Sequence, residues 1–146
     1  MVLDLLSEKT IPRESLKRIG LACAGQIDKD FKKIIFSPNL GWHNAPIRED
    51  IEALLGINAF VENDVNAATY GEWRFGAAKG TGHVLGVFIG TGIGGGIIIN
   101  GKVFRGFRNA GAEIGHIILN PFGYPCNCCN TGCFEAYCGC LLYTSP

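Results

Sequence analysis

Short runs of apolar, largely β-branched residues, separated by glycine and polar turns, alternate along this chain with stretches of helical period. Pro12 falls where the first turn of a short helix over 12–17 would start. Residues 18–24 predict a buried strand that turns at Gly25, 31–36 a second short strand, and 38–42 a loop. Ile47, Ile51, Leu54 and Leu55 recur at i, i+4, i+7 and i+8, the stripe of an amphipathic helix, and Gly56 is placed to end it. Residues 57–61 read as a strand. Asn63 and Asp64 then offer two N-caps for a helix over 65–75. After the glycine-rich stretch 76–82, the best candidate for a linker, come a strand over 84–89, a glycine segment over 90–96 and a strand over 97–99. Asn100-Gly101 is a strong hairpin signal and turns the chain into 102–104.

A strand feeding a capped helix sets polar side chains at the carboxyl edge of a sheet, where α/β folds place their chemistry. Asn63 and Asp64 occupy such an edge. The glycine segment satisfies G-x-G-x-x-G through Gly90, Gly92 and Gly95, but a β-branched run follows it instead of the helix that a dinucleotide fingerprint needs. No Gly-Lys-Ser/Thr accompanies it, so it is not a Walker loop. A strand–glycine–strand turn can still cradle phosphate, because backbone N–H groups approach an anion where side chains are absent. Thr91 would add a hydroxyl donor. The alternative is a tight glycine hairpin with no ligand.

The densest chemistry lies between Glu113 and Glu135. Cys126, Cys128 and Cys133 are spaced C-x-C-x₄-C, with His116 ten residues upstream. Three thiolates and one imidazole are the soft four-ligand set of a tetrahedral structural zinc. Glu113 and Glu135 bracket the cluster, so the segment reads as a metal-stapled loop presenting carboxylates to something polar.

Composition narrows the classes. The 146 residues, 47% hydrophobic and 18% charged, describe a globular chain of one domain or parts of two. Thirteen basic and thirteen acidic residues cancel, which gives no bulk electrostatic reason to bind nucleic acid or an anionic membrane. No apolar run approaches the roughly 20 residues that a membrane-spanning helix requires. Residues 1–6 are too short and too acidic for a secretory leader, so a cytoplasmic location is expected. Six of the seven cysteines fall between Cys126 and Cys140, which suits a local metal cluster better than a disulfide framework. Residues 140–146 match the translation of a transposon-end adapter used in sequencing libraries, and they are expected to be read-through.

Five words of the sequence converge on one family: Pro38-Asn39-Leu40-Gly41-Trp42, Glu62-Asn63-Asp64-Val65-Asn66-Ala67-Ala68, Gly90-Thr91-Gly92-Ile93-Gly94-Gly95-Gly96, Gly111-Ala112-Glu113-Ile114-Gly115-His116, and the cysteine segment through Glu135. From about Ile19 to Gly139 the chain resembles the ROK family of bacterial sugar kinases and sugar-sensing repressors, with wording that leans toward glucokinase-like members. The resemblance implies an α/β, two-lobed fold of the actin/hexokinase (ribonuclease H-like) type. Residues 1–80 would be the remainder of the first lobe, and 81–139 the front of the second lobe with its zinc loop. It implies that Asp64 is the catalytic base toward a hexose hydroxyl and that Asn63, Glu113, His116 and Glu135 hydrogen-bond the sugar. His116, Cys126, Cys128 and Cys133 would hold the structural Zn²⁺, while Gly90, Thr91 and Gly92 would meet the phosphates of ATP. A homodimer is implied for the full-length protein. Nucleic acid would be a partner only in the repressor alternative, in which sugar binding changes DNA affinity and no kinase activity remains.

The chain departs from the family's wording at three points. Cys129 replaces the usual glycine after the second cysteine, a fourth thiol near the cluster, and Ala24 replaces a proline. The family's Asp-x-Gly-Gly-Thr strand, whose aspartate holds Mg²⁺, has no match in the 146 residues. The purified chain by itself is therefore expected to give background ADP release in a coupled assay with a hexose and ATP; robust phosphorylation would contradict that expectation.

Overall fold

The computed structural model describes residues 8–9 and 12–140. The expectations for the leader region at 1–6 and for the tail beyond Cys140 lie outside the described residues. The chain packs as two units, residues 1–63 and 64–146.

In the first unit, β1 (Arg18–Cys23) pairs in parallel with β5 (Asn58–Asn63), in a register that sets Leu21 against Val61 and Cys23 against Asn63. Between them the chain makes an antiparallel sheet of β2 (Gln26–Ile27), β3 (Ile34–Ser37) and β4 (Trp42–Ala45), and then helix α1 (Ile47–Leu55). The core is Ile27, Ile34 and Val61, with Leu21, Cys23, Phe31, Ala45 and Ile47 packed around it. Cys23 is thus a small apolar residue against the core. Gly56 ends α1 in the left-handed conformation at φ 68° and returns its N–H to the Glu52 carbonyl, as the sequence predicted.

Two elements differ from the pattern. The strand expected over 31–36 begins only at Ile34, because the Asp28 carboxylate accepts the N–H groups of Lys32 (2.7 Å) and Lys33 (2.8 Å) and Phe31 turns at φ 56°. Partial burial would raise the Asp28 pKa, but those backbone donors prevail and hold it below the ordinary value. Trp42, read as the end of the loop over 38–42, instead opens β4, where His43 lies against Phe36 with ring centroids 4.9 Å apart.

The second unit is built on an antiparallel sheet of β6 (Val84–Ile89), β7 (Ile93–Ile99) and β8 (Lys102–Val103), with helix α2 (Asp64–Phe75) packed on β6 and β7. Asn100-Gly101 makes the predicted hairpin turn, with φ of 50° and 71°. The segment 76–82 is a series of turns tied back to α2, with the Trp73 indole N–H donating to the Thr81 carbonyl at 2.8 Å. Strand β7 starts four residues earlier than the β-branched run suggests, so Gly94, Gly95 and Gly96 are strand, not loop. Their φ angles are ordinary; the requirement is space. A Cβ on Gly94 would meet the Val65 side chain and one on Gly96 would overlap Thr69, both on α2. A Cβ on Gly95 would strike the Ala112 carbonyl and Ile114 on the opposite side. The period of two along a strand therefore gives β7 two backbone-close faces, one for α2 and one for the segment 112–116. Among the described residues the unit also holds 3-10 turns at Phe107–Asn109 and Ile114–His116 and the helix α3 (Glu135–Cys138). Among the described residues no helix is long and apolar enough to cross a membrane.

The open edge of β5 supplies a pH test. Glu52 Oε1 accepts the Ala59 N–H at 2.9 Å and the Arg48 Nε–H at 3.0 Å, and these bonds hold its pKa below 4.5. A depressed native pKa stabilises the fold above the unfolded value and loses that contribution as pH falls through the native value. The stability gap between wild type and Glu52→Gln in denaturant titrations should be widest at neutral pH and close below pH 4.5. A gap that does not change with pH would rule this out.

Candidate functional site

The metal cluster is assembled by short turns instead of regular elements. His116 closes the 3-10 turn Ile114–His116, which lies on β7 with Gly115 packed against the Ile93 carbonyl. Cys126 and Cys128 sit on a knuckle closed by the bridge Pro125–Thr131, by the Cys126 N–H to the Asn130 carbonyl (2.8 Å) and by the Cys129 N–H to the Cys126 carbonyl (3.0 Å). Cys133, fully buried, is set by its antiparallel bridge to Ile118.

The four candidate ligand atoms lie within 4.8 Å of one another. Cys126 Sγ is 3.8 Å from His116 Nδ1, and Cys128 Sγ is 3.6 Å from Cys133 Sγ. Ligands on a tetrahedral zinc at about 2.0–2.3 Å stand roughly 3.5–3.8 Å apart, so the set fits the ion with only a small contraction. Cys129 is exposed, at φ 70°, and stands outside the four-ligand group.

Titration of the thiols points the same way. Burial disfavours ionisation of both Cys128 and Cys133, but hydrogen bonds from the Asn130 backbone and from Cys126 and Cys133 bring Cys128 below its ordinary value. Burial, reinforced by Cys128 and Cys126, pushes Cys133 up to about 12. The two neighbours are thus driven in opposite directions, and a dication beside both would favour the ionised form of each.

The remaining candidates gather at the start of β7. The Ile93 N–H donates to Glu135 Oε2 at 2.8 Å, while Glu135 Oε1 is 4.0 Å from Cys126 Sγ. Glu113 is exposed and immediately precedes the 3-10 turn of His116, whose N–H returns to the Glu113 carbonyl at 3.1 Å. Asp64 is the exposed first residue of α2; its carboxylate accepts the Val65 N–H at 3.0 Å, and Val65 packs on Gly94. Gly90, Thr91 and Gly92 form the turn into β7, with the Gly90 N–H bonded to the Gly92 carbonyl at 2.9 Å. Asp64, Glu113, His116 and Glu135 all lie within two residues of a group packed on or bonded to Ile93 or Gly94, and the glycine turn leads directly into Ile93. Asn63 ends β5 in the first unit, where its Nδ2 donates to the Gly25 carbonyl at 3.2 Å.

Sequence reasoning missed the residues that hold these groups in place. Thr69 is buried under Gly86 and Gly96, a facing pair on β6 and β7, with its hydroxyl bonded to the Val65 carbonyl at 2.8 Å. Its signal was the coincidence of strand glycines with a small helical residue. A hollow of about 350 Å³ in the first unit, lined by Leu16, Lys17, Glu52, Gly56, Ile57 and Asn58, holds none of the candidate residues.

The model of the ROK family matches residues 1–140, and the chain belongs to that family. It is 43% identical over 119 residues to the glucokinase of Streptomyces coelicolor, an alignment covering 82% of this chain and 38% of the relative. It is 42% identical over 119 residues to the xylose repressor of Bacillus subtilis, covering 82% of this chain and 31% of that protein. A ROK family glucokinase from Streptomyces griseus, in complex with glucose and AMPPNP, superposes with a TM-score of 0.79 at 38% identity, over 94% of this chain and 45% of that one. The fold is accordingly a partial α/β fold of the ROK, actin/hexokinase-like type, and the chain spans less than half the length of these relatives. The His116, Cys126, Cys128 and Cys133 cluster is consistent with a ROK zinc site.

Serine at Cys126 or at Cys128 should reduce bound zinc from one ion per chain to a small fraction of that, measured by atomic emission after gel filtration. Unchanged metal content would dismiss the ligand set.

Proposed function

We propose that this chain is part of a glucokinase-like kinase, which transfers a phosphoryl group from ATP to a hydroxyl of a hexose. The observation that carries the reading is the convergence on Ile93 and Gly94 of an acid at the head of a helix, a metal-anchored acid pair and a glycine turn. Phosphoryl transfer needs positioning and charge stabilisation more than covalent chemistry, so one base and one anion cradle suffice at the reacting centre.

In this reading Asp64 takes the proton from the sugar hydroxyl as that oxygen bonds to the γ-phosphorus and the bond to the ADP oxygen breaks. It stands exposed as the first residue of α2, open to an incoming hydroxyl. Gly90 is engaged within the turn, so Thr91 and Gly92 are the donors we assign to phosphate. Asn63, Glu113, His116 and Glu135 are assigned to the sugar hydroxyls, because discrimination among sugars needs polar partners matched to each hydroxyl. His116 Nδ1 faces Cys126, which leaves Nε2 for a sugar oxygen. The zinc is structural and supplies rigidity, not reactivity. Mg²⁺ would accompany ATP, held by the family's aspartate motif, which these residues do not include. Residues 1–80 would fall in the first lobe and 81–139 in the second, in a cytoplasmic homodimer.

A second reading has its own support, the 42% identity to a xylose repressor over 119 residues. The chain would then be a sugar-sensing segment without turnover. A helix-turn-helix encoded upstream would favour that reading, and hexose-dependent ADP release by the complete protein would end it.

Asp64→Asn in the complete protein should leave the hexose Kd nearly unchanged while lowering kcat by about 10²–10⁴ or more, the usual worth of a general base. Wild-type-like turnover would refute the assignment.

A further inference from the structure

The glycine turn is gripped from one side by α3 and the residue after it. The Ile93 N–H donates to Glu135 Oε2 at 2.8 Å. A Cβ on Gly139 would come 3.4 Å from the Thr91 carbonyl oxygen, and a Cβ on Gly92 would occupy the place of the Glu135 carboxylate. Residues 91, 92 and 93 are each met by this one short segment. The segment begins two residues after Cys133, so the metal cluster fixes the end from which the grip extends.

We propose that Glu135 is a positioning residue for the glycine turn, one carboxylate oxygen holding the turn while the other serves the sugar, so that hexose and nucleotide affinities are coupled through a single side chain. This rests on the reading above, in which Thr91 and Gly92 meet the phosphates and Glu135 the sugar. An ionised carboxylate has two oxygens and about four acceptor sites. Oε2 is committed to the backbone of Ile93. Oε1 has only a 4.0 Å contact with the Cys126 sulfur, which leaves it able to accept a hydroxyl. A sugar that draws on Oε1 fixes the plane of the carboxylate and hence the direction of the Ile93 bond. The turn is then presented to phosphate in one arrangement, and its ordering no longer has to be achieved when nucleotide binds. By linkage, nucleotide must favour sugar by the same factor.

Isothermal titration of the complete, zinc-loaded protein tests this. The probes are a non-hydrolysable ATP analogue and the tightest hexose among glucose, mannose, fructose and N-acetylmannosamine. Glu135→Ala should raise the nucleotide Kd measured without sugar by about fivefold or more, and Glu135→Gln, whose amide oxygen still accepts from Ile93, should restore it to within about twofold. Gly92→Ala, which displaces the carboxylate, should weaken hexose binding measured without nucleotide by about fivefold, with zinc content unchanged. If Glu135→Ala loses zinc or fails to fold, the Gly92→Ala result decides, and an unchanged hexose Kd there overturns the proposal. A wild type that binds both ligands, with Glu135→Ala altering the sugar Kd alone, overturns the proposal and leaves the kinase reading standing. A wild type that binds neither ligand overturns both.

Discussion

The second unit depends on how closely backbone can approach backbone along β7. At Gly94, Gly95 and Gly96 the strand presents no side chains, and two segments take the vacated space: α2 on one face and residues 112–116 on the other. Each strand glycine costs about 0.5–1 kcal/mol in backbone entropy relative to alanine. That cost is offset by the contact it permits, since Thr69 is buried under the Gly86–Gly96 pair with its hydroxyl satisfied by the Val65 carbonyl. The functional consequence follows from the geometry. A helix headed by an acid and a turn that ends in a metal ligand can both be drawn to the first residues of one strand only if that strand has no bulk of its own there.

Beyond residue 116 a different kind of constraint takes over. Regular structure is scarce in this region: among the described residues it consists of isolated bridges and the short helix α3. Cys133 and Ala136 are its buried apolar residues among those described. A metal held by the group at positions 116, 126, 128 and 133 would tie together turns that regular structure does not fix. The opposed shifts at Cys128 and Cys133 show why a cation suits the cluster: these two thiols, 3.6 Å apart, do not ionise independently.

Much of this was legible in the chain. The heptad-like spacing at Ile47–Leu55 and the glycine after it gave α1 with its cap, and Asn100-Gly101 gave the hairpin. The C-x-C-x₄-C spacing with His116 picked out four residues that the structure brings together in a cluster consistent with a zinc site. The glycine run was the harder case. Read locally, seven residues from Gly90 to Gly96 look like one loop, whereas only the first three turn and the rest are strand. What decides between those readings is the identity of the neighbours, Val65, Thr69 and Ile114, which lie far away in sequence. The late start of β3 escaped for a similar reason: Asp28 is a polar residue in a turn until its carboxylate is seen to take two successive backbone N–H groups. The engagement of Glu135 with Ile93 spans 42 residues, and no local pattern announces it.

That long-range bond bears on how a family can contain both enzymes and sensors. Sugar grip, in the reading favoured here, depends on acids anchored by the metal cluster, while turnover adds the acid at the head of α2. The two supports reach β7 through different side chains on different faces, Val65 on Gly94 for the one and Ile114 on Gly95 for the other. Losing the base would leave the metal-anchored acids in place, so a protein could keep its sugar and stop phosphorylating it. The glycine turn, by contrast, is tied to the sugar side through Glu135 and the residue after α3. A sensor that retains those ties inherits a ready device for turning sugar occupancy into a change in backbone order at a distance from the sugar, whether or not a nucleotide is ever bound there.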